Sequence, residues 1–203
     1  KNIIRNFPKI DKEYIFKMID IKKPCEDLKD LFQIYKISYE IFKFNGEKFI
    51  HKSFESIANQ TFKDYEVIVV DDGSTDKTND TLITLLNECK IGLLIVNKSN
   101  LGLTKSLNIA ISHAKGSLIA RQDVDDISYP ERLEIQTDFI RNFDLIGSFA
   151  NYVDEDKKKL NIYGKKNSKL IKDSVFLQNP FVHSSVMFRK DMFDKLGGYD
   201  ERF

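Results

Sequence analysis

Two carboxylate clusters stand out by type and spacing. The first, Asp71-Asp72-Gly73-Ser74-Thr75-Asp76, follows the apolar run Tyr65–Val70. The second, Asp123-Val124-Asp125-Asp126, follows Ser117–Arg121. On an extended chain end, residues two apart point the same way, so Asp123 and Asp125 share a side. Asp126 offers a third carboxylate if the chain turns. Hard oxygen donors suit Mg²⁺ or Mn²⁺, held by one or two carboxylates while substrate phosphates complete the shell. Asp71 and Asp72 suit another partner, because a carboxylate accepts hydrogen bonds from a base N–H or a ribose hydroxyl and repels a phosphate. A consistent site puts a nucleoside at Asp71 and Asp72 and its diphosphate on a cation at Asp123 and Asp125. Other chemistries lack their residues. His51, His113 and His183 are scattered, with no HxxxH, no G-x-S-x-G and no GxxxxGK[ST]. Gly73, Gly102 and Gly116 form no GxGxxG. His51 and His113 read as surface or packing residues on helices. His183 lies in a polar break, Asn179–Ser185, and reads as either structural or acceptor-side.

The elements that must position these clusters follow from periodicity. Ile37, Tyr39 and Ile41 alternate as a strand, and Ile50, Phe54, Ile57 and Ala58 share a helical face. Tyr65–Val70 is a buried strand, Leu82 to Cys89 a helix stripe, and Leu93–Val96 a strand. Leu103, Leu107, Ala110, Ile111 and Ala114 form the cleanest amphipathic stripe. Ser117–Arg121 is the next strand. Ser128-Tyr129-Pro130-Glu131 reads as a capping box opening a helix through Leu133, Ile140 and Phe143. This β-α-β-α-β-α-β-α order predicts an α/β fold with a mostly parallel sheet flanked by helices. Beyond Asp144 the pattern loosens. Leu145–Phe149 and Ser184–Phe188 read as strands, 154–159 as an exposed turn, and 167–178 as a helix. Asp191–Leu196 is a short helix stopped by Gly197-Gly198. Ligands of such sheets bind beyond the carboxyl ends of the strands. Four loops qualify: Phe44-Asn45-Gly46, Asp71–Asp76, Asn97–Gly102 and Gln122–Asp126. Six aspartates gathered there are costly unless a cation or protons compensate.

Composition narrows the class. The chain has 203 residues, 41% of them hydrophobic, with 16 Phe and no Trp, enough for a core and too apolar for disorder. A formal net charge of +1 argues against a nucleic-acid binder. Cys25 and Cys89 make no disulfide framework, which points to a reducing, cytoplasmic compartment. No apolar run approaches the roughly 20 residues of a spanning helix. Residues 1–35 read as a separate lead-in of two short helices around 14–19 and 28–32, and residues 36–203 as the main domain. Lys1 in place of an initiator Met suggests a trimmed chain or a fragment.

The motifs, taken in order, resemble family 2 glycosyltransferases of the GT-A fold. Asn59-Gln60-Thr61-Phe62 through Val70-Asp71-Asp72-Gly73-Ser74-Thr75-Asp76 is similar to the family's N-terminal signature. Asn100-Leu101-Gly102-Leu103, Ser106-Leu107-Asn108 and Ile119-Ala120-Arg121-Gln122-Asp123-Val124-Asp125-Asp126 continue it. Pro130-Glu131-Arg132-Leu133 and Leu196-Gly197-Gly198-Tyr199-Asp200-Glu201 complete it over about 36–203. The resemblance implies a nucleotide-sugar donor, with a UDP-sugar favoured, Mn²⁺ or Mg²⁺ at the D-x-D motif, and inversion at the sugar carbon. It implies a glycan or lipid-linked acceptor, polysaccharide biosynthesis, and association with the inner face of a membrane. Donor contacts then fall on Asn45, Glu47, Asp71, Asp72, Asn100, Arg121 and Asp123, with Asp123 and Asp125 on the metal.

Two departures matter. The family's first strand ends in a Pro-Thr-Tyr-Asn type sequence, here Phe42-Lys43-Phe44-Asn45. Its Glu-Asp pair, which supplies the base, would fall past Phe203. Asp200 and Glu201 are then the acidic candidates for the acceptor side, on a terminal stretch expected to fray, so this chain is expected to be a poor transferase. The rivals are a non-catalytic nucleotide-sugar-binding remnant, a phospho-receiver-like signalling domain, and a nucleotidyltransferase. The last wants a Gly- and basic-rich loop where Asn45-Gly46-Glu47-Lys48 supplies one Gly and one Lys.

Overall fold

The computed structural model describes residues 4–6, 37–43, 45–89, 92–153, 159–163 and 179–202. Its elements run β1 (Ile4–Asn6), β2 (Ile37–Lys43), α1 (Glu47–Ala58), β3 (Tyr65–Asp71), α2 (Thr78–Cys89), β4 (Leu93–Val96), α3 (Leu103–His113), β5 (Leu118–Asp123) and β6 (Asp126–Ile127). They continue as α4 (Arg132–Ile140), β7 (Leu145–Ile146), β8 (Ala150–Val153), β9 (Lys159–Tyr163), a 3₁₀ turn (His183–Ser185), β10 (Met187–Arg189) and α5 (Lys190–Leu196). The lead-in helices and the helix expected over 167–178 lie outside the described residues, as does all of the 154–159 turn but Lys159, which opens β9.

A six-stranded sheet has the order β4-β3-β2-β5-β10-β7. The first four strands are parallel, while β10 runs antiparallel to both β5 and β7. This is the expected α/β architecture. Because β3 and β5 lie on opposite sides of β2, the chain reverses its winding there. Such a switch point opens a crevice at the strand ends. A smaller sheet, β6-β1-β8-β9, stands beside it.

The apolar run of β3 is explained by burial on both faces. Val67 and Val69 face a core shared with Ile50, Phe54, Ile57, Leu82, Leu133 and Ile140 from α1, α2 and α4. Ile68 and Val70 face Ala110 of α3. Each crossover helix thus has its apolar stripe against the sheet, and the polar loops collect at one edge.

One element forms differently from its sequence signature. The capping box does not close. Glu131 is the N-cap of α4 and makes no side-chain cap bond. The Ser128 hydroxyl instead donates to Gln122 Oε1 and accepts from Arg132 Nη1 at 3.0 Å. Those buried partners would be left unmatched if Ser128 turned to the helix end, so the tertiary contacts prevail.

Candidate active site

Strand register sets the frame. Asp71 pairs across from Lys43, and Asp123 from Phe42, so the two carboxylates flank the end of β2. Two strand spacings separate them, about 10 Å. The loops after β2 and β3 are laced together. Asn45 N donates to Ser74 Oγ (2.9 Å), Thr75 N donates to Asn45 Oδ1 (2.9 Å), and Gly46 N donates to Thr78 Oγ1 (2.8 Å). Asn45 adopts φ 55°, a left-handed conformation that Asn tolerates. Asp76 accepts from Thr78 N (3.0 Å), capping α2, and these bonds hold its carboxyl below the usual range against the opposing push of burial. Glu47 N points at the other Asp76 oxygen, and the Glu47 residue is exposed at the rim.

The two adjacent aspartates do different work. Asp72 is fully buried. Its Oδ1 accepts from Asn97 Nδ2 (2.7 Å), Leu101 N (2.9 Å) and Ser106 Oγ (3.0 Å), and its Oδ2 accepts from Gly102 N (2.9 Å). Burial alone pushes this carboxyl up. The four hydrogen bonds more than offset that and hold it below the usual range. With its oxygens engaged in this way, Asp72 ties the β3 end to the start of α3. Asp71 uses Oδ1 on Ser74 N (2.9 Å), while its buried Oδ2 has no hydrogen-bond partner among the described residues. Asn100 is exposed, and its Oδ1 accepts from Gly102 N at 3.0 Å.

Over 123–126 burial alternates, with Asp123 and Asp125 part-exposed, Val124 in the core and Asp126 completely buried. The third carboxylate therefore faces inward. Asp123 Oδ1 accepts from Arg121 Nη2 at 2.8 Å. Arg121 is 1% exposed, and its Nε and Nη1 have no hydrogen-bond partner among the described residues. Beneath this loop lies a buried polar network that sequence reasoning missed. Arg132, 0% exposed, donates to Arg121 O (2.7 Å), Ser128 Oγ (3.0 Å) and Gln136 Oε1 (3.1 Å). Gln122 Nε2 donates to Ser53 Oγ (2.8 Å) and Asp126 O (3.1 Å). Gln60 ties Tyr129 O to Leu133 N. The available signal was Arg132 and Gln136, four apart on the helix face that also carries Leu133 and Ile140.

On the opposite flank the 3₁₀ turn puts His183 beside the Arg121–Asp123 pair. Burial and the Arg121 charge lower its pKa to about 4, with Asp123 opposing. Its Nε2 lies 3.1 Å from the Tyr199 hydroxyl. Segment 198–201, expected to fray, is anchored: Asn108 Nδ2 donates to Tyr199 O (2.9 Å) and Glu201 Oε1 (3.0 Å), and Asn108 Oδ1 accepts from Tyr199 N (2.9 Å). Asp200 is engaged by Arg202 Nε at 2.9 Å, and those bonds lower its pKa, which makes it a weak proton acceptor. His51 and His113 are exposed on helices, as expected.

Comparison with known proteins decides the family. The sequence profile described as Glycosyl transferase family 2 matches residues 41–197. The chain belongs to glycosyl transferase family 2. Family relatives include the O-antigen biosynthesis glycosyltransferase WbnJ of Escherichia coli, 32% identical over 75% of this chain and 61% of that protein. The amylovoran biosynthesis glycosyltransferase AmsE of Erwinia amylovora is 30% identical over 74% of this chain and 58% of that protein. The chain thus spans about three-fifths of the length of these relatives. Two solved glycosyltransferase structures share the fold. The mannosyltransferase PcManGT of Pyrobaculum calidifontis, in complex with GDP-Man and Mn²⁺, superposes with a TM-score of 0.64 at 17% identity, over 89% of this chain and 52% of that one. S. aureus TarS 1-349 in complex with UDP gives 0.61 at 21% identity, over 82% and 51%. The GT-A fold expected from the sequence is therefore correct.

The residues present fit a divalent cation in donor chemistry. Among the described residues no group of three His, Cys, Asp or Glu side chains could hold a metal ion alone. Asp123 and Asp125 supply two hard oxygen donors at the crevice, the number Mg²⁺ or Mn²⁺ takes when phosphates complete the shell. Arg121 already takes one Asp123 oxygen.

Proposed function

We propose that this family 2 chain binds a nucleoside-diphosphate sugar in the crevice between the ends of β3, β2 and β5, and transfers the sugar to an acceptor hydroxyl with inversion. The observation that carries the reading is the register that sets Asp71 and Asp123 on either side of the β2 end, at the switch point of the sheet. Asp71 Oδ2, buried without a partner, suits a base N–H or ribose hydroxyl once the loop opens to admit the nucleoside. Asn45, Glu47 and Asn100 form the rim of that side. Asp123 and Asp125 would hold Mn²⁺ or Mg²⁺, which when bound supplies neutralisation of the departing diphosphate. Arg121 steadies Asp123 from behind.

The acceptor enters from the side of His183 and Tyr199. Its hydroxyl needs a proton acceptor within about 3 Å, or one water away. Of the two acidic residues there, Asp200 carries Arg202, and Glu201 is the freer to turn toward a hydroxyl. His183, neutral above pH 5 by its lowered pKa, adds a hydrogen-bonding group without repelling a cation. Likeness to the O-antigen and amylovoran enzymes supports a glycan or lipid-linked acceptor in polysaccharide biosynthesis. No described helix is long and apolar enough to cross a membrane.

Calorimetric titration of UDP and of GDP, each with EDTA and then with Mn²⁺, tests this reading. Tighter binding with Mn²⁺ is expected, and Asp125→Ala should remove that gain while leaving the fold intact. Equal affinity in both conditions refutes the cation role. Sugar transfer, or donor hydrolysis with water as acceptor, separates a transferase from a domain that only binds the donor.

A further inference from the structure

A line of contacts runs from the segment after α5 to the D-x-D carboxylate. It begins at Asn108 on α3, whose amide grips both backbone groups of Tyr199 and the Glu201 carboxylate. Gly198 makes the grip possible: its φ is +88°, and a Cβ there would lie 3.0 Å from Asn108 Oδ1. Tyr199 is seated further by its ring, edge-on to Phe193 with centroids 5.2 Å apart, and edge-on to His183 at 5.6 Å. Its hydroxyl reaches His183 Nε2 at 3.1 Å. The His183 turn packs on β5, where Arg121 N donates to Val186 O at 3.0 Å. Arg121 then holds Asp123 Oδ1 at 2.8 Å.

The weak point of this line is Arg121. Its guanidinium is buried, and among the described residues Asp123 is its only side-chain hydrogen-bond partner. One hydrogen bond does not fix a fork with five N–H groups. Its position depends on the walls around it, and the turn carrying His183, which packs on β5 and joins it through Val186 O, is one of them. A carboxylate that ligates a metal is oriented by the groups behind it, and losing such a group typically costs about 10–100-fold in metal affinity.

We propose that Tyr199 is a positioning residue for Asp123, acting through His183 and Arg121, and that the Asn108 clamp makes segment 198–201 part of the cation site's support. This rests on the reading that Asp123 and Asp125 hold the cation. Coupling between sites is reciprocal. Whatever orders segment 198–201 therefore tightens cation–diphosphate binding, and the cation orders that segment in return.

The test uses the full chain with Mn²⁺ and UDP or GDP, following the electron paramagnetic resonance signal of free Mn²⁺. Tyr199→Phe removes the hydroxyl on His183 and keeps the ring against Phe193. Asn108→Ala removes the clamp. We expect Mn²⁺ affinity in the presence of nucleotide to fall about 3–10-fold in Tyr199→Phe and about 10-fold or more in Asn108→Ala. Nucleotide affinity in EDTA should match the parent. Unchanged Mn²⁺ affinity in Tyr199→Phe overturns the proposal, while loss in Asp125→Ala leaves the underlying reading standing. An equal loss of nucleotide affinity in EDTA also overturns it, as general damage. If Asp125→Ala binds Mn²⁺ like the parent, or the parent takes up no Mn²⁺ with either nucleotide, the cation reading itself fails and the proposal falls with it.

Discussion

Asp72→Asn separates a ligand contact from a structural post. In the native chain Oδ1 accepts three hydrogen bonds and Oδ2 accepts one, all within a site that excludes water. The asparagine amide keeps its oxygen toward the three donors and turns its NH₂ toward Gly102 N. The fourth bond is lost, though Gly102 N keeps its 3.0 Å partner in Asn100 Oδ1. A bond to a charged acceptor is worth about 1.5–3 kcal/mol, against about 0.5–1.5 for a neutral one. Three bonds weakened by about 1 kcal/mol each and one lost bond worth about 1.5 therefore cost about 4–5 kcal/mol. With a urea m-value of about 2–3 kcal/mol/M for a chain of this size, the unfolding midpoint should drop by roughly 1.5–2.5 M. The pH dependence supplies a second check. The folded pKa of Asp72 lies below 3.8, so its charge stabilises the fold fully above that value and less as pH falls through the folded pKa. The gap between parent and Asp72→Asn should narrow below about pH 4, because a protonated Asp resembles Asn. A variant with the parent's midpoint and a more than tenfold loss of UDP affinity would refute the structural assignment and return Asp72 to the nucleoside.

Three further predictions concern the same edge. Arg132→Met leaves Arg121 O, Ser128 Oγ and Gln136 Oε1 without their donor. It should cost about 3–5 kcal/mol, as broken buried networks do, with a melting temperature lower by about 8–15 °C. Arg132→Lys should recover little of this, since one ammonium cannot match the fork. Gly73→Ala would put a Cβ 2.8 Å from the Ser99 carbonyl carbon at φ +76°. It should cost about 1–3 kcal/mol and weaken nucleotide binding by parting the β3 and β4 loops, both measurable by differential scanning fluorimetry with and without UDP. His183 titrates at about 4 in the folded chain and 6.5 in its reference state. The unfolded chain takes up the proton first, so stability is full above pH 6.5 and falls by about 2–3 kcal/mol on the way to pH 4, allowing for partial exposure. His183→Asn should abolish that limb in urea titrations run between pH 7 and 4.

Much of the fold was legible because its signals are local and repeated. The run of β3 is apolar on both faces, and α3 buries Leu107, Ala110 and Ile111 on one face, so neither leaves a competing period. What stayed hidden depends on contacts between distant segments. Asp71 and Asp72 are indistinguishable as letters. Only the docking of α3 decides which one is enclosed by Asn97, Leu101, Gly102 and Ser106. Ser128 carries a capping signature, yet its hydroxyl serves Gln122 and Arg132, six and four residues away. Gln136 and Arg132 look like surface residues on an amphipathic helix, because their buried acceptors come from strands, loops and turns elsewhere. Gly197-Gly198 reads correctly as a helix stop, with Gly197 at φ 83°. The sequence pattern does not disclose that the bend delivers Tyr199 into the Asn108 amide.

The charge balance at the crevice changes accordingly. Six aspartates at one edge looked like a demand for a cation. For three of the six the structure supplies compensation from the chain itself. Asp72 has four donors, Asp76 has the N-terminus of α2, and Asp123 has Arg121. The lacing of Asn45, Ser74, Thr75 and Thr78 also ties the loops after β2 and β3 to each other. Arg121 also subtracts a charge from the D-x-D pair, which weakens its pull on a bare divalent ion. A diphosphate adds the negative charge and the oxygen donors that the pair lacks. The cation we propose would then belong to donor binding, and the buried network under Arg132 fixes the end of β5 from which Asp123 and Asp125 follow.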